Sequence, residues 1–299
     1  MPVLGLQLMM LKDQIHEKGM YEVLRQVREL DLDAVEVSQV EMTDELIDDL
    51  VRGRAAFDVE IAAMSATIDP GGNGFALSTE FDRAVEACRR TGTRFLRIGM
   101  MPFSAMTSQQ ACEEWAASVE PYAARLAEQG VTLCYHNHHV DLIQFEGERV
   151  FDIVRRVAPS LLFEVDLHWV QRGGMAPLDM LEAYTGACKL IHVKDFRIAP
   201  LPARTLAELE SGELGMAEFQ AAFLGLVQFA EVGQGNMNWP ALLPAAERAG
   251  AEYFLIEQDD TYGRDPLDCI RESREYLRTL RSEERRVGKE CRSRWSPYH

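Results

Sequence analysis

Five of the chain's seven histidines lie between positions 136 and 192, in segments that begin as short apolar runs and end in polar residues. Short apolar runs are typical of strands buried in a parallel sheet. A fourth segment of this kind precedes Glu257. Four strands that each end in His, Asp or Glu predict one shared site. The segments are Thr132-Leu-Cys-Tyr before His136, Leu161–Val165 before Asp166, Cys188–Ile191 before His192, and Tyr253–Ile256 before Glu257.

Asp166, His192 and Glu257 are the strongest candidates for metal ligands. Carboxylate and imidazole ligands together suit a divalent ion such as Mn, Co, Mg or Zn. Each residue also has an ordinary alternative, because Asp166 could cap a turn, His192 could be a hydrogen-bonded core histidine, and Glu257 could be a surface acid. Their repetition at the ends of successive strands favours the metal site.

His136 and His138 are two residues apart, so on a strand their side chains point the same way. One of them could complete the metal site while the other contacts the substrate. The alternative for a His-Asn-His run is a hydrogen-bonded loop. His139 is expected to face the other way and to have a structural role.

His168 lies two residues after Asp166, and Lys194 lies two residues after His192. On a strand, each side chain would therefore point the same way as that of the candidate ligand before it. A lysine that points into the mouth of a barrel beside a metal would polarise a carbonyl or hold an oxyanion. The alternative for Lys194 is an ordinary solvated lysine.

Strand signals alternate with helical patterns along residues 1–280, which implies βαβ units and a parallel sheet. About eight units in about 280 residues suit a closed barrel, since the usual barrel has about 250 residues. The main alternative is an open doubly wound sheet, which normally binds its ligand at a single switch point. Polar residues at the ends of strands five to eight favour the closed barrel, because its strand ends surround one common mouth. We therefore predict a single (β/α)8 TIM barrel over residues 1–280. The predicted strands are 2–9, 33–38, 59–66, 94–99, 131–135, 161–165, 189–193 and 252–256.

The net charge of −17 disfavours nucleic acid as a partner, because affinity for nucleic acid comes largely from Lys and Arg. Six scattered cysteines without a CxxC pair are expected to be free thiols in a reducing compartment. The sequence shows neither a signal-peptide pattern nor an apolar run long enough to span a membrane. We expect a cytoplasmic protein that has no membrane partner and handles a small molecule.

The last residues, from Ser282, show neither a helical nor a strand period. They carry five basic and three acidic residues, so the rest of the chain has a charge of about −19. Together with Arg281 they resemble a translated DNA sequencing adapter. We predict that residues 281–299 are a disordered, non-native tail. The alternative is a genuine disordered basic tail.

The motifs resemble those of the sugar phosphate isomerase/epimerase family with the xylose isomerase-like TIM barrel, and more narrowly its YHNH-type branch. The resemblance extends through Leu280. It does not indicate which sugar is the substrate. The matching motifs are Tyr135-His-Asn-His138, Glu164-Val-Asp166 with Trp169 and Gly173-Gly174, His192-Val-Lys-Asp195, Glu231-Val-Gly-Gln-Gly235, and Ile256-Glu-Gln-Asp259.

In the wider family, four strands supply a Glu, Asp, His, Glu metal set. Asp166, His192 and Glu257 match the last three, and His136 stands where the first Glu is expected. His138 is the competing choice for the fourth ligand. The position where branch members often carry an acid is Asp141 here.

The resemblance implies chemistry on a sugar or keto sugar. A divalent metal would lower the pKa of the C–H group beside the carbonyl and stabilise an enediolate. Returning the proton to a neighbouring carbon isomerises the sugar, and returning it to the other face epimerises it. The candidate bases are His138 and Glu257, with Lys194 and His168 orienting substrate oxygens.

Three other functions compete with a sugar isomerase or epimerase. A lyase or hydratase could use the same enolate on a 3-keto sugar or an inositol derivative. An endonuclease-type phosphodiesterase shares this barrel, but it needs a basic DNA track that the charge disfavours. A non-catalytic sugar-binding barrel would leave the His, Asp and Glu ring unused.

The sequence lacks a marked Arg/Lys cluster for phosphate, so we favour an unphosphorylated substrate. A homodimer is possible.

Overall fold

The computed structural model describes the backbone of residues 1–293 and the side chains of residues 1–280. The last helix, Pro266–Ser293, includes part of the segment that the sequence analysis expected to be disordered. Glu, Arg and Lys, which are frequent in this segment, are good helix formers. Residues 294–299 of the predicted tail lie outside the described residues, and the non-native origin of the tail stays a prediction.

Eight parallel strands form a closed barrel. Each strand pairs with its neighbours in chain order, and the first strand also pairs with the last, in a register that places Val3 opposite Tyr253. This closure confirms the predicted (β/α)8 TIM barrel and shows that the alternative of an open doubly wound sheet is wrong. The barrel strands are β1 (Val3–Gln7), β2 (Ala34–Val37), β3 (Glu60–Thr67), β4 (Phe95–Ile98), β5 (Thr132–His136), β6 (Leu162–Asp166), β7 (Cys188–Val193) and β8 (Tyr253–Ile256).

Helices connect the strands, and several begin or end at residues whose side chains or backbone suit the position. Thr43 and Ser108 accept hydrogen bonds from backbone N–H groups of the helices that follow them. Gly92 ends another helix with a φ of 70°, which glycine adopts without steric cost. The helices up to β8 are Lys12–Lys18, Met20–Glu29, Asp44–Phe57, Leu77–Thr91, Gln109–Glu128, Val150–Val157, Leu167–Arg172, Pro177–Ala183, Ala203–Ser211, Met216–Leu224 and Trp239–Ala249.

All eight barrel strands contribute to one cluster of buried apolar side chains. Successive residues of a strand point to opposite faces, so residues two apart share a face. The residues two positions after several members of this cluster are charged or ionisable. The apolar cluster consists of Ala34, Ala62, Ala63, Phe95, Cys134, Leu190, Tyr253 and Leu255, with Val3 and Leu162 packed against it.

Close approach of β1 and β2 requires a glycine in the barrel wall. A Cβ atom at Gly5 would lie 2.6 Å from the carbonyl oxygen of Ala34. Any side chain at this position would therefore push the two strands apart.

The chain divides into two compact units, and all eight barrel strands belong to the first, which comprises Met1–Val193 and Ala241–Glu257. The second unit comprises Lys194–Pro240 and the described residues from Gln258 on. It contains an antiparallel ribbon of Asp195–Ile198 with Val227–Ala230. Its helices include Ala203–Ser211 and Met216–Leu224.

Asp195 organises the glycine-rich loop of the second unit. One carboxylate oxygen accepts hydrogen bonds from the backbone N–H groups of Phe196 and Met237, and the other from Gly233 and the indole of Trp239. A Cβ atom at Gly235 would lie 2.1 Å from Asp195. The Gly-Gln-Gly sequence therefore forms a tight turn around a buried carboxylate.

Among the described residues, no helix combines the length and the apolar character needed to cross a membrane.

Candidate metal centre

Four side chains from the carboxyl ends of β5 to β8 converge inside the first unit. His136, Asp166, His192 and Glu257 each offer one possible ligand atom, and these atoms all lie within 4.8 Å of one another. All four residues are buried. The structure thus brings together the four residues that the sequence analysis proposed as ligands, and the chemistry of the set is two imidazoles and two carboxylates.

His192 lies at the centre of the cluster. Its Nδ1 atom is 2.8 Å from Glu257 Oε2 and 3.9 Å from Asp166 Oδ2. Its Nε2 atom is 2.9 Å from Glu36 Oε2 and 3.3 Å from Glu164 Oε1. Both ring nitrogens therefore face carboxylates, and the two ligand carboxylates are on the Nδ1 side.

Asp166 has two functions in the structure. Its Oδ1 atom accepts a hydrogen bond from the backbone N–H of Trp169 at 3.0 Å and so caps the helix that follows β6. Its Oδ2 atom faces His192. The turn cap that the sequence analysis weighed as an alternative is real, and it coexists with a place in the cluster.

Asn137 fixes the backbone of Asp166. The Asn137 amide accepts a hydrogen bond from Asp166 N–H at 2.9 Å and donates one to the Asp166 carbonyl at 3.2 Å. The middle residue of the His-Asn-His run thus joins the end of β5 to the end of β6. The hydrogen-bonded loop suggested as an alternative for this run is therefore present, and it holds the cluster.

Glu257 is held from β1. Gln7 donates a hydrogen bond to Glu257 Oε1 at 3.1 Å, which leaves Oε2 facing His192. Glu257 is only 4% exposed, so it is not the surface acid of the alternative interpretation.

Three charged residues of this region were missed as functional candidates in the sequence. Glu36, Arg97 and Glu164 are buried, and Glu36 and Glu164 form a second possible metal-ligand group with His192. Arg97 Nε donates to Glu36 Oε1 at 2.7 Å and lies 3.3 Å from Glu164 Oε2. The available signal was a charged residue inside an apolar strand, and for Glu164 its spacing of two from Asp166.

Burial and nearby positive charge shift the pKa values of the buried carboxylates in opposite directions. Burial raises the pKa of Glu36 above its ordinary value, against the opposing attraction of Arg97. Burial would also raise the pKa of Glu164, but His192 and Arg97 outweigh it and lower this pKa to about 2. Glu164 is therefore ionised at neutral pH.

The two histidines of the cluster are affected differently. Burial lowers the pKa of His136 well below its usual value, and the nearby His192 and His138 add to this effect. Burial opposes protonation of His192 too, but Glu164, Glu257 and Glu36 outweigh it and raise the pKa of His192 well above its usual value. His136 is therefore a neutral imidazole with a lone pair, and His192 carries a proton that a bound cation would displace.

The residues present fit a divalent cation. Four carboxylates converge on His192, and Arg97 is the arginine that contacts two of them. Buried carboxylates in excess of the cations near them are costly unless a further positive charge is present. Nitrogen and oxygen ligands in one buried cluster suit Zn, Mn or Co, and the carboxylates also suit Mg.

His138 lies beside the cluster and is only partly buried. Its ring centroid is 4.8 Å from that of His136 and 5.7 Å from that of Trp169. Its backbone N–H donates to Asp141 Oδ2 at 2.7 Å, and Asp141 also accepts from the Tyr135 hydroxyl at 2.6 Å. Asp141 thus fixes the turn that presents His138. His139 is exposed, in line with its expected outward orientation.

His168 and Lys194 occupy buried positions. His168 is fully buried in the first unit, with its ring 4.8 Å from the Trp169 ring. Lys194 belongs to the second unit, where it is 2% exposed and its ammonium nitrogen lies 2.6 Å from Asp259 Oδ1. Lys194 is therefore not the solvated lysine of the alternative interpretation, and the proposed contact of both residues with substrate stays a prediction.

A closed (β/α)8 barrel with ionisable side chains at the carboxyl ends of its strands has the arrangement of barrel enzymes, whose active sites lie at this end. The sequence agrees with this class. Residues 24–280 match the model of the Xylose isomerase-like TIM barrel family, and the chain belongs to this family. No curated protein sequence matches the chain.

Solved structures share the fold at low sequence identity. A sugar phosphate isomerase/epimerase from Parabacteroides distasonis has a TM-score of 0.70 at 17% identity, covering 93% of this chain and 94% of its own. An L-ribulose 3-epimerase has a TM-score of 0.67 at 13% identity, covering 99% of this chain and 100% of its own. The IOLI protein with a binding zinc atom has a TM-score of 0.62 at 15% identity, covering 94% of this chain and 98% of its own.

Proposed function

We propose that this protein is a divalent-metal-dependent isomerase or epimerase that acts on a sugar or keto sugar through an enediolate. The observation that carries the proposal is the buried convergence of His136, Asp166, His192 and Glu257. The names of similar structures, a sugar phosphate isomerase/epimerase and an L-ribulose 3-epimerase, support the choice of reaction. The narrower assignment to the YHNH-type branch, carried by Tyr135-His-Asn-His138, belongs to this proposal.

The four converging residues would hold the metal ion. A divalent ion bound there supplies Lewis acidity, which polarises a substrate carbonyl and favours loss of the proton from the adjacent carbon. The zinc atom in the similar IOLI structure supports the proposal that this chain binds a divalent metal. Asn137, which clamps the backbone of Asp166, and Gln7, which fixes one oxygen of Glu257, would keep these ligands in place.

His138 is our first candidate for the general base. It is partly exposed, it adjoins His136, and Asp141 fixes the backbone that carries it. An imidazole is suited to accept the proton from the carbon and to return it, because its ordinary pKa lies near neutral pH. Glu257 is the second candidate, and it would then combine a ligand role with proton transfer.

Lys194 and His168 are proposed to orient substrate oxygens. The ammonium group of Lys194 could hold a developing oxyanion. The buried pairing of Lys194 with Asp259 keeps it in a defined position, and the packing of His168 against Trp169 does the same for its ring. An unphosphorylated substrate remains our expectation.

The direct test is proton exchange at carbon. Wild-type protein loaded with Mn²⁺ would be incubated in D₂O with a panel of aldoses, ketoses and 3-keto glycosides, and followed by NMR. An isomerase or epimerase exchanges the C–H next to the carbonyl and forms the isomer. Loss of a leaving group from a 3-keto glycoside without isomer formation would instead establish the lyase or hydratase alternative.

A matched pair of histidine variants tests the base. His138→Gln is expected to reduce kcat by about 10²–10⁴-fold, which is the usual contribution of a general base. His139→Gln changes the adjacent, exposed histidine and is expected to keep wild-type kcat. Equal activity of both variants would exclude His138 as the base. Absence of exchange on the whole panel, with the metal bound, would favour a sugar-binding barrel.

A further inference from the structure

The two nitrogens of the His192 ring have separate sets of partners. Nδ1 faces Glu257 and Asp166, which belong to the candidate ligand set. Nε2 faces Glu36 Oε2 at 2.9 Å. A neutral imidazole has one N–H and one lone pair, so the partner of one nitrogen determines what the other can do.

We propose that Glu36 is a positioning residue that accepts the Nε2–H of His192 and thereby makes Nδ1 the metal-binding nitrogen. The inference rests on the proposed metal site and adds a specific coordination to it. Histidines that bind metals commonly donate their other N–H to a carboxylate, which fixes both the tautomer and the orientation of the ring. Glu36 is fully buried, so the pair is shielded from competing water.

Arg97 holds Glu36 in the orientation that this role requires. The Arg97 Nε atom donates to Glu36 Oε1 at 2.7 Å, and its Nη2 atom donates to Ser38 Oγ at 3.0 Å. With Oε1 engaged by the guanidinium, Oε2 is the oxygen directed at His192. The rigid guanidinium fork suits this task, since it fixes the direction as well as the charge of its partner.

Glu164 is the other carboxylate near Nε2, and its geometry favours Glu36 as the acceptor. Glu164 Oε1 lies 3.3 Å from His192 Nε2, whereas Glu36 Oε2 lies at 2.9 Å. Glu164 Oε2 lies 3.3 Å from His136 Nδ1 and also 3.3 Å from Arg97 Nε. Glu164 is therefore shared between Arg97, His136 and His192, and Glu36 makes the shorter contact with His192 Nε2.

The tautomer can be measured without any substitution. Full-length protein labelled with ¹⁵N-histidine and loaded with Zn²⁺ would be studied by long-range ¹H–¹⁵N correlation, with His192 assigned by the loss of its signals in His192→Asn. The inference predicts a protonated Nε2 and a zinc-shifted Nδ1 for His192. A zinc-shifted Nε2 with a protonated Nδ1 would overturn it while leaving the metal site in place. A wild-type protein that binds no zinc would overturn the proposed function and this inference together.

Two substitutions of Glu36 separate hydrogen bonding from charge. Glu36→Met removes the acceptor at similar size and is expected to weaken zinc binding by about 10–100-fold, the usual effect of losing an outer-shell partner. Glu36→Gln has one oxygen for two donors, Arg97 Nε–H and His192 Nε2–H, so it is expected to restore only part of this affinity and of the Nε2–H signal of His192. Zinc affinity of Glu36→Met equal to that of wild type would overturn the inference.

Glu231 provides the matched control. It is also a buried glutamate, 2% exposed, and its Oε1 atom lies 2.6 Å from Nη1 of Arg264 in the second unit. Glu231→Met likewise removes a buried glutamate from its arginine partner, with Arg264 itself 41% exposed, and His192 is not a partner of that pair. It is expected to lower the free energy of unfolding while zinc affinity and the tautomer of His192 stay unchanged. A shift of the tautomer in Glu231→Met as well would show a merely structural effect and overturn the specific role of Glu36.

Discussion

The interior of the barrel holds two layers that differ in chemistry although the same strands build both. In six of the eight barrel strands, an apolar residue of the buried cluster is followed two residues later, towards the carboxyl end of the strand, by a charged or ionisable side chain. The alternation of side chains along a strand places both members of each pair inside the barrel. The pairs are Ala34 and Glu36, Phe95 and Arg97, Cys134 and His136, Leu162 and Glu164, Leu190 and His192, and Leu255 and Glu257.

The difference shows how stability and chemistry are divided within one barrel. Burial of apolar side chains is favourable at roughly 25 cal/mol per Å². Burial of carboxylates is unfavourable unless each has a cation or a hydrogen-bond donor. The apolar layer therefore stabilises the fold, and the charged layer fits the proposed metal site. Substitutions in the two layers should separate the free energy of unfolding from metal affinity.

Phe95→Ala in the apolar layer has the largest expected effect on stability. Phe95 is 2% exposed and its ring centroid lies 6.2 Å from that of Tyr253. Its truncation is expected to lower the free energy of unfolding by about 3–5 kcal/mol, through lost transfer energy and a cavity. Urea denaturation followed by circular dichroism measures this change. The folded variant should keep the metal stoichiometry of wild type, and loss of metal from it would break the separation between the layers.

Asp166→Asn makes the opposite test in the charged layer. Asparagine keeps an oxygen that can cap the following helix, but it removes an anionic ligand. Metal affinity is expected to fall by more than about 100-fold, because outer-shell partners alone are worth about 10–100-fold. The free energy of unfolding measured in chelator is expected to stay the same or rise, since one of several neighbouring carboxylates is neutralised.

Asp179 offers the control for the net charge in this experiment. It is exposed, so Asp179→Asn removes the same charge at the surface and is expected to leave metal affinity unchanged. Isothermal titration with Mn²⁺ or Zn²⁺ gives both affinities. An Asp166→Asn protein that binds metal as tightly as the Asp179→Asn protein would contradict the assignment of Asp166 to the ligand set.

Asn137→Ala is expected to affect both properties, because Asn137 is a buried structural clamp on a ligand. Its amide makes two hydrogen bonds to the backbone of Asp166, and their loss leaves buried polar groups without these partners. The expected decrease in the free energy of unfolding is about 1–3 kcal/mol. Metal affinity should also fall, since Asp166 is less well fixed. Unchanged metal affinity in this variant would show that the clamp serves stability alone.

The buried carboxyl group of Asp141, in the turn that carries His138, is expected to make the free energy of unfolding depend on pH, with a smaller effect than the substitutions above. Burial raises the pKa of Asp141 from 3.8 to about 6, against the hydrogen bond from Tyr135. Between these values the folded protein binds more protons at this site than the unfolded chain, so this site's contribution to stability falls as pH rises. Relative to Asp141→Asn, the free energy of unfolding of wild type should fall by up to about 1.4 kcal/mol for each unit that the pH rises in this window. Denaturation at a series of pH values measures the difference, and a flat difference would contradict the raised pKa.

The barrel was largely predictable because strand and helix periods are local properties of the sequence. The predicted strand 131–135 is observed as Thr132–His136, and the predicted strand 161–165 as Leu162–Asp166. The short helix Leu167–Arg172 was missed, since six residues after a strand give too little period to recognise. The ribbon of Gln144–Phe145 with Glu148–Arg149 was missed for the same reason.

The site was predictable only in part. His136, Asp166, His192 and Glu257 stood out because each follows an apolar run, and the structure brings them together. Glu36 and Arg97 lie within their strands, where the sequence marks only a charge among apolar residues. Their roles depend on contacts with residues far away in the sequence. Arg97 contacts Glu36, 61 positions away, and His192 contacts Glu36, 156 positions away. No local sequence pattern contains such contacts.

The most direct test of the account is the metal content of the full-length protein. Wild type, His192→Ala and the control His139→Ala would be loaded with Mn²⁺, Co²⁺ or Zn²⁺, desalted and measured by inductively coupled plasma mass spectrometry. The account predicts about one ion per chain in wild type and in His139→Ala, and none in His192→Ala. A wild-type protein that retains no ion, or a His192→Ala protein that retains as much as wild type, would contradict it.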